Sequence, residues 1–367
     1  MTTPSKPASE HGLVAVGMSG GVDSSMAAAL LLEQGRDVVG VTMRLGIAEI
    51  EERACCGETE ALLARQTCAA LGIPHVVIDV AEEFERAVVT PFVDAYASGT
   101  TPNPCVWCNE RVKFGLLLDR ARALGCEQLA TGHYARVIRM ADGTLRLARG
   151  VDSAKDQSYF LYRVPAAALP RLLFPLGELT KMQVRTMAAE RGLPTATRTE
   201  SQDVCFTDDL ATLVGRRHPE ALTPGSIRTT EGTLLGTHDG IAHYTVGQRK
   251  GLGVGGPGGP WRVVAIDAAT NALLVSAEAP ARTAHAELRD AVWHALAPEA
   301  RVDAEIRYRA APLPATARFA DDRIELRFVT PAVPAAPGQS VVLYEGDTVL
   351  GGGIMERAQG PFMGVQV

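Results

Sequence analysis

The most informative stretch of this 367-residue chain is Gly17-Met18-Ser19-Gly20-Gly21-Val22-Asp23-Ser24-Ser25. It follows an apolar run over residues 13–16 and precedes a predicted helix over residues 26–34. A strand that passes into a helix through small residues directs several backbone N–H groups at one point, where the helix dipole also favours an anion. The loop therefore predicts a phosphate site, with an ordinary tight turn of an α/β sheet as the alternative.

This loop differs from the Walker A motif. No Gly-Lys-Ser or Gly-Lys-Thr follows the glycines at the required spacing, so the lysine that reaches the terminal phosphates in that motif is missing. Kinase and motor chemistry are disfavoured for this reason.

The composition indicates a globular cytoplasmic protein. Apolar residues make up 46% and charged residues 21%, and no apolar stretch reaches membrane-spanning length. Residues 1–12 lack the charged and apolar segments of an export signal, and we expect no membrane partner. Seven cysteines in a reducing compartment indicate reactive thiols or metal ligands. The net charge of −6 disfavours a wholly basic surface but permits a local basic groove.

Three composition regimes follow a flexible tail over residues 1–12. Apolar runs at 38–41, 76–80 and 128–131 alternate with helical segments, which predicts βαβ units around a parallel sheet over residues 13–214. Thr180 and Gln183 have capping-box spacing and predict a helix that Gly192 ends. Rising glycine content predicts a small central domain over 215–282. Period-two patterning with turns at Asp321-Asp322 and 345–347 predicts an antiparallel barrel over 283–367.

Three cysteines stand in polar or proline-rich surroundings. Cys105 and Cys108 lie in Thr101-Pro102-Asn103-Pro104-Cys105-Val106-Trp107-Cys108-Asn109, where the prolines predict a loop that exposes both sulfurs. Cys205 lies in another irregular stretch, over residues 200–206, and only folding could bring it near the pair. Reactive thiols are the first interpretation. A structural metal knuckle or unreactive thiols are the alternative.

The remaining four cysteines give weaker signals. Cys68 and Cys126 fit the buried faces of a helix and of a strand entry. Cys55 and Cys56 precede a predicted helix, and the sequence assigns them no role.

A phosphate loop combined with reactive thiols suggests one reaction. A carbonyl oxygen is a poor leaving group until ATP adenylates it, and a thiolate or persulfide is a strong nucleophile near neutral pH. ATP would then activate an oxygen that sulfur replaces.

Six motifs, in the same order, resemble the bacterial tRNA-specific 2-thiouridylases. The resemblance runs from about residue 12 to residue 356. The motifs are Ser19-Gly20-Gly21-Val22-Asp23-Ser24, Thr101-Pro102-Asn103-Pro104 with Cys108-Asn109, Ala130-Thr131-Gly132-His133-Tyr134, Lys155-Asp156-Gln157-Ser158-Tyr159-Phe160-Leu161, Gly247-Gln248-Arg249-Lys250-Gly251-Leu252 and Pro337-Gly338-Gln339-Ser340.

The resemblance implies an ATP-dependent sulfurtransferase that acts on C2 of uridine 34, the wobble position of tRNA. An adenylated intermediate and a cysteine persulfide would lead to 2-thiouridine, AMP and pyrophosphate. The implied fold is a Rossmann-like pyrophosphate-loop ATPase domain with a parallel sheet, a small central domain and a C-terminal antiparallel β-barrel. ATP with Mg²⁺ and tRNA are the implied substrates, and the implied partner is a sulfur-relay or cysteine desulfurase protein.

The resemblance also implies roles for individual residues. Cys205 would carry the persulfide, and Cys108 would be its partner thiol, able to form a disulfide with it as sulfur leaves. Asn103, Pro104 and Cys105 would face the target base. The implied ATP-binding residues are Gly17, Met18, Ser19, Gly20, Gly21, Val22, Asp23, Ser24, Met43 and Gly132. The implied tRNA-contacting residues are His133, Lys155, Asp156, Gln157, Arg307, Tyr308 and Gln339.

Several of these residues also have structural interpretations. Met43 could fill the core, and His133 could be a structural histidine. Arg307 and Tyr308 alternate on a predicted strand, so one could face solvent and the other the core.

One departure from the family pattern concerns the thiols. Many members have aspartate at the position of Cys105, so this chain places three cysteines around the implied site. Cys105, Cys108 and Cys205 could bind three irons of a [4Fe–4S] cluster, with the fourth iron open to hydrosulfide. We rank this hypothesis below the persulfide reaction.

Two other function classes stay open at this point. The chain could be an RNA- or nucleotide-binding module whose cysteines hold a structural zinc ion. It could also be another pyrophosphate-loop ATPase, such as an amidotransferase-type synthetase or a thiolase for another tRNA position. An amidotransferase-type synthetase gives no reason for the paired reactive thiols.

Overall fold

The structure is a computed structural model that describes residues 12–46, 58–198, 204–207, 209–255, 258–279, 282–295, 297–333 and 335–359. Most of the predicted tail, Cys55, Cys56 and residues 201–203 lie outside the described residues. The chain divides into two compact units. The first unit comprises Met1–Ala87, Cys105–Phe206 and Asp347–Val349, and the second comprises Val88–Pro104, Thr207–Gly346 and Leu350–Val367.

Eight α-helical segments are present in the described part of the chain. They are α1 (Val22–Glu33), α2 (Glu58–Leu71), α3 (Ala81–Phe84), α4 (Thr90–Ala97), α5 (Pro104–Trp107), α6 (Leu118–Ala123), α7 (Lys181–Glu190) and α8 (Leu210–Arg217). π-Helical segments occupy Glu85–Val89 and Cys108–Leu117, and short 3₁₀ turns occupy Ser158–Phe160, Ala166–Arg171, Pro219–Leu222 and Ile241–His243. No helix among the described residues is long and apolar enough to cross a bilayer.

The first unit is built on a parallel sheet, as the apolar runs predict. Its strands are β1 (Val14–Gly17), β2 (Val38–Arg44), β3 (His75–Asp79), β4 (Gln128–Ala130), β5 (Ala135–Arg139), β6 (Leu145–Arg149) and β7 (Leu172–Leu173). The sheet order is β3-β2-β1-β4-β7 with every pairing parallel, while β5 and β6 form an antiparallel hairpin. Val14 and Val16 of β1 are fully buried, which explains the uninterrupted apolar pattern of this strand.

The strand order reverses beside β1. After β1 the chain builds β2 and β3 on one side of it, and it then returns to add β4 on the other side. Val14 pairs with Val38 of β2 and with Gln128 of β4. Ligands of open α/β sheets bind where the order reverses in this way, outside the carboxyl ends of the strands. The loops after β1 and β4 therefore flank the expected binding crevice.

The boundaries of two helices test the sequence predictions. The capping box of α7 is confirmed, with Thr180 and Gln183 each bonding the other's backbone. Helix α1 begins at Val22, four residues earlier than predicted. Its start lies inside the small-residue loop because Gly21 adopts an extended conformation and Ser25 Oγ donates to Gly21 O at 2.9 Å.

The loop predicted for residues 101–109 is wrong beyond Asn103. Helix α5 starts at Pro104, and the π-helical segment and α6 continue it without a break. Proline is accepted at the first position of a helix because the N–H that it lacks would have no helical partner there. The two prolines therefore precede and start a helix, and they do not hold Cys105 and Cys108 in a loop.

The second unit contains two further sheets. Strands β8 (Gly225–Thr229), β9 (Leu234–His238), β10 (Arg262–Asp267) and β11 (Ala272–Ser276) have the order β10-β11-β8-β9. Six antiparallel strands form the barrel, and the β12–β17 pairing closes it in the order β12-β15-β14-β13-β16-β17. They are β12 (Thr283–Trp293), β13 (Glu299–Glu305), β14 (Leu313–Ala320), β15 (Arg323–Ala332), β16 (Ser340–Glu345) and β17 (Thr348–Gln359).

The barrel confirms most of the period-two pattern. On β15, Ile324 and Leu326 are buried while Glu325 between them is exposed. Asp321 and Asp322 both have positive φ, as a two-residue hairpin turn requires. The predicted fold class, a Rossmann-like parallel sheet followed by a smaller domain and an antiparallel barrel, is confirmed.

The placement of Arg307 and Tyr308 on a strand is wrong. Strand β13 ends at Glu305, and both residues lie in the turn that follows. This turn closes because Arg309 has a φ of 61° and its backbone N–H donates to the Glu305 carboxylate at 2.9 Å. Alternating hydrophobicity could not reveal this side-chain-to-backbone bond.

Candidate nucleotide and thiol site

The shape of the loop after β1 is fixed by hydrogen bonds to its own serine side chains. Met18 N donates to Val41 O of β2 at 2.8 Å, which continues the sheet by one residue. Ser19 N donates to Ser24 Oγ at 3.2 Å, and Ser24 Oγ donates to Gly21 O at 3.1 Å. These bonds fold the chain back on itself at the N-terminus of α1. Backbone N–H groups and the helix dipole thus converge where a phosphate would bind.

Gly20 is needed for the shape of this loop. Its φ is +71°, a region that disfavours L side chains, and a Cβ atom there would lie 2.7 Å from Glu60 O of α2. Arg198 Nη1 donates to Gly20 O at 3.0 Å, and Arg198 also pairs with Glu60. The loop is therefore braced on the side of α2 by an arginine that the sequence pattern did not identify.

Gly132 brings the chain after β4 against the start of α1. A Cβ atom at Gly132 would lie 2.8 Å from Ser24 N, so only glycine fits here without a shift. The structure thus places Gly132 beside the loop formed by residues 17–24, and its contact with ATP stays a prediction.

Asp23, in the first turn of α1, has two partners that come from distant parts of the chain. Lys181 Nζ donates to its two carboxylate oxygens at 2.7 and 2.8 Å, and Tyr134 Oη donates to Oδ1 at 2.8 Å. The sequence motifs do not single out Lys181, and they assign Tyr134 no role. The predicted helix start at Thr180 marked the position of Lys181 but could not show what its side chain faces.

Met43 lies at the carboxyl end of β2 and is half-buried. The preceding Thr42 Oγ1 donates to Met18 O at 2.8 Å and lies 2.8 Å from His75 Nε2. Because the Thr42 hydrogen is used on Met18 O, His75 Nε2 must be the donor in that second bond. Burial and the charge of Arg65 lower the pKa of His75, which favours this neutral form.

His133 is held in an aromatic cluster behind the loop. Its ring lies 5.7 Å from Phe114 and 6.0 Å from Phe174, and its Nδ1 is 2.7 Å from Thr131 Oγ1. Burial, together with the charge of Lys113, lowers the pKa of His133 well below its ordinary value. The imidazole is therefore neutral, so any contact with RNA would be a hydrogen bond or stacking and not an ion pair.

Asp156 is buried, with an exposed fraction of 6%, and its side chain is bonded to several parts of the surrounding chain. Its carboxylate accepts hydrogen bonds from Arg149 Nη1 at 3.0 Å, Gly150 N at 2.9 Å, Ser158 N at 3.1 Å and Ser158 Oγ at 2.8 Å. The neighbouring Gln157 bonds Tyr134 twice, through its side chain to Tyr134 N at 3.0 Å and through its backbone N–H to Tyr134 O at 2.9 Å. This segment is thus joined through Tyr134 to Asp23.

The segments that contain Cys108 and Cys205 both contact α3. The π-helical segment that begins with Cys108 packs against α3. Phe206, adjacent to Cys205, lies edge-on to Phe84 of α3 with ring centroids 5.7 Å apart. Cys108 is 8% exposed, whereas Cys205 is half-buried. Folding therefore brings the two segments to the same short helix, and the reactive-thiol interpretation stays a prediction.

The environment of the helix that carries Cys105 and Cys108 is tightly defined. Cys105 is half-buried. Asn109, itself buried, donates from Nδ2 to Phe160 O at 3.1 Å, and Glu110 pairs with Arg163 at 2.9 Å. The π-helical segment that begins at Cys108 is thus bonded to the part of the chain that follows Asp156 and Gln157.

Cys68 and Cys126 are buried, as predicted. Burial raises the pKa of the Cys68 thiol to about 11, and burial also raises that of Cys126. Both thiols are therefore poor sources of thiolate at neutral pH.

Lys155 is half-buried in the first unit, and the remaining implied site residues lie in the second unit. Thr101 N donates to Pro337 O at 3.3 Å, so the segment leading to Asn103 and Pro104 runs beside the turn that leads to Gln339. Pro104 is buried, while Asn103 and Gln339 are half-buried. Arg307 is exposed in its turn, and Tyr308 is half-buried with the Arg309 guanidinium 4.9 Å from its ring centroid.

Family models match most of the chain. Residues 12–209 match a tRNA methyl transferase HUP domain, residues 212–277 a tRNA methyl transferase PRC-barrel domain, and residues 284–355 an aminomethyltransferase beta-barrel domain.

Similar proteins carry a consistent name. The tRNA-specific 2-thiouridylase MnmA of Chloroflexus aurantiacus is 49% identical over 355 residues, which cover 94% of this chain and 99% of that protein. The protein of the same name from Geotalea uraniireducens is 45% identical over 358 residues, with coverages of 94% and 95%. A solved 4-thiouridine synthetase–RNA complex with bound ATP is 15% identical, with a TM-score of 0.35, and covers 54% of this chain and 45% of that chain.

Proposed function

Because this chain belongs to the tRNA-specific 2-thiouridylase family, we propose that it converts uridine 34 of tRNA to 2-thiouridine. ATP, supplied as its magnesium complex, is the second substrate, and AMP and pyrophosphate are products. A sulfur-relay protein or a cysteine desulfurase supplies the sulfur. The observation that carries the proposal is that one unit contains the loop formed by residues 17–24 and also Cys108 and Cys205, whose segments both contact α3.

The first half of the reaction uses the loop after β1. Its backbone N–H groups and the dipole of α1 bind the phosphates of ATP, with Met43 and Gly132 bordering the nucleotide. The O2 oxygen of uridine attacks the α-phosphate, and pyrophosphate leaves. This step makes O2 part of an adenylate, which is a far better leaving group than a carbonyl oxygen. Asn103, Pro104 and Cys105 contact the target base.

The second half uses the two cysteines. The terminal sulfur of a persulfide on Cys205 attacks C2, and AMP departs with the original O2 oxygen. The Cys108 thiolate then attacks the Cys205 sulfur, which breaks the sulfur–sulfur bond and leaves the transferred sulfur on the base. The resulting Cys108–Cys205 disulfide must take two electrons from a thiol reductant before the next turnover.

The remaining site residues hold the tRNA. Arg307, Tyr308 and Gln339 offer a cation, an aromatic ring and an amide, which are the groups that bind phosphates and unstacked bases. His133, Lys155 and Gln157 contact the tRNA from the first unit. Asp156, whose carboxylate accepts four hydrogen bonds from its own chain, positions Lys155 and Gln157.

The cysteines do not fit an iron–sulfur cluster as they are arranged. Among the described residues, which include Cys105, Cys108 and Cys205, no group of three or more histidine, cysteine or acidic side chains could hold a metal ion. No step above is therefore routed through iron. The iron content of anaerobically purified protein tests this conclusion, and stoichiometric iron would contradict it.

Cysteine variants test the proposed function. Cys108→Ser and Cys205→Ser should each abolish formation of 2-thiouridine, measured by mass spectrometry of tRNA treated with ATP and a sulfur donor. Each substitution replaces one sulfur by oxygen, so ATP and tRNA binding should remain close to the wild type. Cys126→Ala is the matched control, because Cys126 is buried and outside the site, and it should retain activity. Wild-type thiolation by either serine variant would refute the assigned roles.

A further inference from the structure

The loop formed by residues 17–24 lacks a lysine, yet the fold places one beside it. Lys181 belongs to α7 and lies 158 positions from Asp23 in the sequence. Its ammonium group lies 2.7 and 2.8 Å from the two carboxylate oxygens of Asp23, in the first turn of α1. Lys181 is only 8% exposed, so its ammonium group lies close to the loop formed by residues 17–24 and away from bulk solvent.

The backbone of Lys181 is fixed by two independent contacts. Its N–H donates to Asp152 Oδ2 at 2.8 Å, and the capping box formed by Thr180 and Gln183 sets the start of α7 at this residue. Helices α1 and α7 also share one hydrophobic core, to which Met26 and Val184 belong. The side chain of Lys181 therefore leaves a rigid base and reaches toward the loop.

The position of this lysine is electrostatically costly for a purely structural residue. It stands at the first position of α7, where the helix dipole disfavours a cation, and it is nearly buried. A buried ion pair is weak support for stability, because desolvation of both charges offsets their attraction. A role in binding explains better why the charge is placed here.

The carboxylate of Asp23 is the other charged group at this position. It stands in the first turn of the same helix whose N-terminus would hold the phosphates, so without a cation it would repel them. Lys181 neutralises that charge. Tyr134 Oη also donates to Asp23, so Asp23 keeps a hydrogen-bond donor if the flexible ammonium group turns to another acceptor.

We propose that Lys181 is the phosphate-binding lysine of this site, held by Asp23 until its ammonium group contacts a phosphate of the bound nucleotide. This inference rests on the proposed use of ATP. It assigns to α7 the task that a lysine within the loop performs in Walker A proteins.

Comparison of ATP with adenosine separates phosphate binding from a structural role. Lys181→Met keeps the length of the side chain but removes its charge. We expect its affinity for ATP and for pyrophosphate, measured by calorimetry, to fall by roughly tenfold to a hundredfold, the value of one charge-assisted hydrogen bond. Its affinity for adenosine should stay within about twofold of the wild type, since adenosine has no phosphate.

The matched control is the other ion pair between the same two helices. Arg191 of the α7 C-terminus pairs with Glu33 of α1 at 2.6 Å, and both lie at the opposite ends of these helices from the loop. Arg191→Met should leave the ATP-to-adenosine affinity ratio unchanged. If it lowers that ratio as much as Lys181→Met does, the effect comes from helix packing and the proposal fails.

A double variant tests whether Lys181 only neutralises Asp23. In Lys181→Met with Asp23→Asn both charges are removed, so full recovery of ATP affinity would overturn a direct phosphate contact. Continued weak binding of ATP with normal binding of adenosine would support it. A wild-type protein that binds no ATP would contradict the proposed function as well, whereas equal ATP binding by wild type and Lys181→Met would overturn only the role of Lys181.

Discussion

A Cβ atom at Gly132 would lie 2.7 Å from the carbonyl carbon of Asp23, so the chain after β4 meets the first turn of α1 backbone to backbone. This contact joins the two loops that flank the crevice at the point where the strand order reverses. The shape of the loop formed by residues 17–24 therefore depends on Gly132, which lies more than a hundred positions away in the sequence.

Gly132→Ala should impair nucleotide binding. The added methyl group meets backbone atoms of Asp23 and Ser24, which cannot rotate away, so α1 or the loop must shift. We expect the free energy of unfolding to fall by about 1–3 kcal/mol and the affinity for ATP to fall at least tenfold, roughly. Calorimetric titration with ATP measures the second effect. Gly255→Ala is the control, because among the described residues no atom outside its chain neighbours lies within 4 Å of its Cβ position. Normal ATP binding by Gly132→Ala would show that this contact is not needed.

Asp156→Ala should destabilise the first unit. The substitution removes the acceptor that Arg149, Gly150 and Ser158 share, which costs about 2–4 kcal/mol of unfolding free energy. Denaturant unfolding measures the loss. Asp142→Ala is the control. Asp142 accepts two hydrogen bonds from Thr144 on the exposed β5–β6 turn, so this substitution should lower the free energy of unfolding by less than about 1 kcal/mol. If Asp156→Ala has normal stability but weak tRNA binding, the carboxylate contacts RNA directly.

His218 should make the stability of the second unit depend on pH. Hydrogen bonds to Asp94 and then Glu220, each 2.9 Å long, raise the pKa of His218 above its ordinary value. The stabilisation is fully present below the unfolded-state pKa of about 6.5 and is lost as the pH rises through the higher folded-state pKa. Because the group is partly exposed, its magnitude is at most about 1 kcal/mol.

Thermal unfolding of His218→Gln tests this sign. The difference in melting temperature between wild type and variant should be larger at pH 5.5 than at pH 8.5. Asp94→Asn removes the largest cause of the raised pKa and should reduce that pH dependence. A difference that grows toward alkaline pH would contradict the assignment.

Local patterns predicted much of the fold because they depend on neighbouring residues. The buried run of β1, the capping box of α7 and the alternation of β15 each follow from spacing within one element. The same reasoning failed where the local sequence was compatible with two backbone conformations. Pro104 could end an irregular segment or start a helix, and Glu305 could continue β13 or close a turn through its side chain.

The sequence by itself determined the order of strands and helices, the small-residue loop at the start of α1 and the resemblance that implies roles for Cys108 and Cys205. Only the tertiary structure decided which distant groups meet: Lys181 with Asp23, Gly132 with the start of α1, and the segments of Cys108 and Cys205 with α3. The physical reason is that spacing along the chain fixes hydrogen bonds and faces within one element. Contacts between distant elements depend instead on how the buried faces of the sheet and helices pack together.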